Sequence, residues 1–69
     1  MYKIVIKQNT VNLDGNADTF KVKTLRAKLI IKQLMGIGIE TDYQTFKTIE
    51  HRDAVASLIR TVCYSDINT

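Results

Sequence analysis

Cys63 is the only cysteine and His51 the only histidine in a chain of 69 residues, and these two facts constrain the fold more than any motif does. A lone cysteine closes no internal disulfide, and with a single histidine no Cys/His zinc site of familiar spacing can be written. Yet a domain this small buries only about 60% of the surface its unfolded chain exposes, while ordering it costs of order 100 kcal/mol. Short chains commonly add a disulfide, a metal or a second subunit to their own core. With the first two removed, self-association is the remaining support, although some domains of this length fold unaided.

The same cysteine count, and an N-terminus without the charged, apolar, small-residue succession of a secretion signal, lead us to expect a reducing, cytoplasmic setting. No apolar run approaches the roughly eighteen residues of a membrane span, so no membrane partner is expected. Residues 1–64 read as a single small domain and residues 65–69 as a polar C-terminal tail, together a complete small gene product.

Hydrophobic periodicity sets the architecture. Tyr2, Ile4 and Ile6 alternate with Lys3, Val5 and Lys7, and Phe20 and Val22 alternate with Lys21 and Lys23, each the period-two signature of a half-buried strand. Asp14-Gly15 between them is a favoured dipeptide for a two-residue hairpin turn. The inward positions, however, are even up to Ile6 and odd at Val11 and Leu13. One extra residue near Gln8-Asn9-Thr10, a β-bulge, would repair this fault and pair Ile6 with Val22 and Lys7 with Lys21. Tyr2, Ile4, Ile6, Val11, Leu13, Phe20 and Val22 then share one face, and Lys3, Lys7, Lys21 and Lys23 collect on the other.

Thr24 is the expected N-cap of a helix running to Met35 and stopped by Gly36. Ala27, Ile30, Ile31, Leu34 and Met35 form its apolar stripe, while Leu25 and Leu29 stand nearly opposite among Arg26, Lys28, Lys32 and Gln33. Residues 37–48 suggest a third strand with poor alternation, since Ile39 and Tyr43 share one face and Phe46 takes the other. A second helix is expected from Glu50 to Tyr64 on the stripe Ala54, Val55, Leu58, Ile59 and Val62. The fold class is therefore α+β in β-β-α-β-α order: an N-terminal hairpin plus a third strand, with two helices on one face of the sheet.

Chemistry is sparse. His51 sits at the first turn of the second helix without a partner in reach and reads as a half-buried or capping residue. Cys63 falls near the end of that helix, where the macrodipole disfavours a thiolate, and reads as a small buried residue. Glu40 and Asp42 lack a third ligand, and Gly36-Ile37-Gly38 precedes no helix and forms no nucleotide loop. No catalytic residue, cofactor or metal is expected, and the chain is expected not to be an enzyme.

Charge is more informative. Residues 1–32 carry seven lysines and arginines against two aspartates, a net +5, and the remainder carries three cations against five carboxylates, a net −2. Such asymmetry fits an anionic partner or subunits that attract each other. The leading expectation is a small regulatory protein acting by protein contact, an inhibitor or accessory factor of the kind viruses and mobile elements carry. It would form a homodimer and hold a larger protein target, with Leu25, Leu29, Lys28 and Lys32 as the interface. The alternative is nucleic-acid binding through Lys3, Lys7, Lys21, Lys23 and Arg26.

Overall fold

The computed structural model of the chain describes residues 1–13 and 19–67. The alternating N-terminal run makes two strands, β1 (Tyr2–Lys7) and β2 (Thr10–Leu13). What separates them is a chain reversal and not a bulge. Lys7 pairs with Thr10, Ile6 with Val11 and Ile4 with Leu13, so Gln8 and Asn9 are the two residues of a tight hairpin turn. Across a two-residue turn an even position always faces an odd one, and the switch from Ile6 to Val11 is the direct result. Gln8 turns the corner at φ 53°, and Thr10 Oγ1 donates to the Lys7 carbonyl at 3.1 Å.

A third strand, β3 (Thr19–Lys21), runs antiparallel to β2, with Val11 opposite Phe20 and Thr10 opposite Lys21. This corrects the expected register: Ile6 meets Val11 instead of Val22, and Lys7 meets Thr10 instead of Lys21. The expected turn at Asp14-Gly15 lies outside the described residues. Beyond β3 the Val22 amide donates to the Asn9 carbonyl at 2.7 Å.

The helix α1 (Leu25–Met35) begins and ends where its capping residues dictate. Thr24 Oγ1 accepts the Ala27 amide at 3.1 Å. At the other end Gly36 adopts φ 73° and its amide returns to Gln33 at 3.0 Å, while the Ile37 amide bonds to Lys32 at 3.1 Å. The strand expected over 37–48 contracts to β4 (Tyr43–Phe46), with Ile39 left exposed in the connection. Its irregular pattern follows, because the preceding apolar residues belong to no strand. β4 pairs antiparallel with β1, Tyr2 opposite Phe46 and Val5 opposite Tyr43, and the sheet order is β3-β2-β1-β4. The final helix, α2 (Ile49–Ile67), starts where Thr48 Oγ1 accepts the His51 amide at 3.1 Å. It continues past Tyr64, so Ser65, Asp66 and Ile67 of the expected tail are helical.

The α+β class, the two layers and the succession of N-terminal strands, helix, strand and helix are as the periodicity implies, with four strands in the sheet because the expected first strand folds back on itself at Gln8-Asn9. The sheet contributes Ile4, Ile6, Val11, Leu13 and Phe46 to the core, and Val22 follows just beyond β3. Ala27, Ile31 and Met35 of α1 and Val55, Ala56, Ile59 and Cys63 of α2 close it from one side.

Both helices are rolled away from their expected stripes. In α1 the buried face moves from Ile30 and Leu34 toward Lys32, and in α2 from Ala54 and Leu58 toward Arg52. Each roll buries a cation that finds partners. Lys32 Nζ donates to the Ile39 carbonyl and lies 3.6 Å from Asp42 Oδ1. Arg52 binds Asp53 Oδ1 through Nε at 3.0 Å and Nη2 at 2.9 Å, and its guanidinium lies 5.7 Å from the centre of the Tyr2 ring. A buried charge is tolerated only when it is so satisfied.

Candidate functional site

The helices cover one face of the sheet and leave the other open. Strand alternation puts Lys3, Val5 and Lys7 of β1 on that open face, with Thr10 and Asn12 of β2, Thr19 and Lys21 of β3, and Tyr43 and Thr45 of β4. Lys7, Thr10 and Lys21 form one row across three strands. Neighbouring strands lie about 4.8 Å apart, so the two lysine stems are roughly 10 Å apart. Asn12 and Thr19 continue a second row from Val5 and Tyr43. No carboxylate stands on this face among the described strand residues. Lys3 Nζ sits 5.5 Å from the centre of the Tyr43 ring, which places a cation beside an exposed aromatic side chain.

Of the basic residues expected to act together, Lys3, Lys7 and Lys21 are thus brought onto one face. Lys23 is exposed just past the end of β3, and Arg26 is exposed on the first turn of α1. Tyr43, opposite Val5, completes the face, a placement that its own strand pattern leaves open. Its opposition to Phe46 was visible in the alternation, but only the pairing of Phe46 with Tyr2 decides which of the two points inward.

The expected protein interface is altered. Leu25 is 72% exposed and Leu29 41%, while Lys28 is half-buried. Lys32, at 5% exposure, is withdrawn from the surface by its bonds to Ile39 and Asp42 and cannot rim that patch. All charges on α1 are cationic. The helical spacing leaves Leu25, Arg26, Leu29, Ile30, Gln33 and Leu34 as its outward face.

His51, Cys63, Glu40 and Asp42 lie outside the strands of this face. His51 is exposed, not half-buried, and its ring stands edge-on to Phe46 at 5.0 Å between centroids. Cys63 is buried in the core. Glu40 and Asp42 precede β4 instead of sharing a strand face, and Asp42 is occupied by Lys32. Among the described residues no cluster of three metal-ligating side chains exists, and no helix is long and apolar enough to cross a membrane. Comparison with protein-family models, curated proteins and solved structures finds no match to this chain.

Proposed function

We propose that the protein is a non-enzymatic binding protein, that its working surface is the open sheet face, and that its partner is single-stranded nucleic acid. The observation that carries this reading is the content of that face: Lys3, Lys7 and Lys21 around Tyr43, with no opposing carboxylate among the described strand residues. Lysines spaced over several strands suit phosphates, which give most of the affinity of such complexes and tie it to salt. Tyr43 offers a ring on which a base can stack, and stacking accepts any base. The hydroxyls of Thr10, Thr19 and Thr45 and the Asn12 amide can bond to phosphate and sugar oxygens. Among the described residues of this face there is no arginine for bidentate base readout, so the binding is sequence-tolerant.

The test is titration of a fluorescent oligothymidylate and a matching RNA near 50 mM salt. Binding should weaken steeply with added salt, and Lys7→Glu combined with Lys21→Glu should abolish it. Undiminished binding in that folded double variant overturns the reading.

A second reading, regulation through protein contact, is favoured by the 72% exposure of Leu25 and its neighbour Leu29 on a helix without acidic residues. Exposed leucines on one helix face mark an interaction surface when they are grouped. A second copy is the simplest occupant, and a larger acidic protein target is the other. Light scattering separates this reading from the first: it requires at least twice the 7.9 kDa chain mass or capture of a protein, lost in Leu29→Asp.

A further inference from the structure

The open face does not end at a blunt edge. Where β3 meets the C-terminal half of α2, a cleft of about 270 Å³ opens between Phe20, Lys21, Arg60, Cys63 and Tyr64. Its walls combine planar and cationic groups. The Arg60 guanidinium lies 5.1 Å from the centre of the Phe20 ring, an arrangement that holds the guanidinium in place against an aromatic face. Tyr64 is exposed, and buried Cys63 gives the floor a small apolar surface. Lys21 belongs both to this cleft and to the lysine row of the sheet, opposite Thr10 and one strand beyond Lys7.

We infer that this cleft is a nucleotide subsite, and that it receives the terminal nucleotide of a strand laid across the sheet. The inference rests on the nucleic-acid reading above. At about 270 Å³ the cleft lies just below the roughly 300–1,000 Å³ usual for small-molecule sites, and its lining has the chemistry of one base with its phosphate. A base is a flat ring that stacks on tyrosine or on a guanidinium plane. A phosphate is drawn by cationic side chains, and Lys21 and Arg60 both line the cleft. A strand following Lys7 and Lys21 leaves the sheet over β3, and Lys21 is the last cation it meets there before the cleft.

The test is nitrogen-15 NMR of the whole chain, titrated with a 5′-mononucleotide and, separately, with a ten-residue oligothymidylate. Both ligands should move the amides of Phe20, Cys63 and Tyr64, and the oligonucleotide should also move Lys3, Tyr43 and Thr45. Tyr64→Ala should weaken both ligands by about 5-fold or more, the scale of one lost base stack. Tyr43→Ala should weaken the oligonucleotide alone. Both tyrosines are exposed, so both variants should keep the thermal transition of the parent.

Oligonucleotide shifts confined to the sheet, with a silent cleft and an indifferent Tyr64→Ala, overturn the subsite and leave the sheet reading standing. Mononucleotide shifts in the cleft with no tighter binding of the oligonucleotide sustain the nucleotide site and remove the sheet reading. Shifts from neither ligand overturn both.

Discussion

Lys32 and Arg52 hold equivalent stations, each turned inward on a helix that could have buried an aliphatic residue instead. For Lys32 the partner that matters is the Ile39 carbonyl, since Asp42 is 64% exposed and an ion pair to an exposed carboxylate is worth little. Lys32→Ala removes a donor from a part-buried carbonyl and leaves a gap, and should cost about 2 kcal/mol in urea unfolding. Asp42→Asn should cost less than about 1 kcal/mol in the same assay. Equal losses from the two would show that the ion pair, not the carbonyl, holds the connection. Gln8 offers a change of opposite sign. A side chain with a Cβ at φ 53° is strained relative to glycine, so Gln8→Gly should raise stability by about 0.5 kcal/mol, read as a higher urea midpoint at unchanged slope.

At the level of the element, the helix ends are the best-determined features of this chain. A Cβ at Gly36 would meet nothing closer than Gln44 Nε2 at 3.9 Å, so Gly36→Ala should cost only the strain of φ 73°, about 1 kcal/mol. A much larger loss would point to a contact other than backbone strain. Thr24 and Gly36 were legible in the sequence because capping is local chemistry, decided within four residues. The faces of the N-terminal strands were legible too, since alternation fixes them whichever way the chain turns. The turn itself was not. Gln8-Asn9 lacks the glycine that marks most two-residue hairpins, and a change of parity reads equally well as an inserted residue. The roll of the two helices was hidden for a different reason. Aliphatic periodicity assigns lysine and arginine outward, whereas the partners that draw Lys32 and Arg52 in include Ile39, in the connection to β4, and Tyr2, on β1. Of the candidate interface residues, Lys32 fails on that account alone. Tyr43 joins the basic face because its strand pairs with β1, a contact between distant parts of the chain.

For the molecule as a whole, the two surfaces make separable demands. On the nucleic-acid proposal, three or four phosphates neutralised by the open face should give a slope of log affinity against log salt of about −2 to −3 for a single strand. Removing Lys7 alone should flatten the slope by about 0.7, and a slope unchanged by that substitution would remove Lys7 from the interface. The sheet order carries a further consequence for synthesis. β1 lies between β2, its immediate successor, and β4, roughly 40 residues later, which a ribosome needs about 2–8 s to make. Until β4 arrives, the edge of β1 that it covers has no partner strand, and a bare strand edge is a template for pairing with another chain. Charged side chains, lysine above all, discourage such pairing, and β1 carries Lys3 and Lys7, so the residues of the open face also bear on how cleanly the strand waits for its second neighbour.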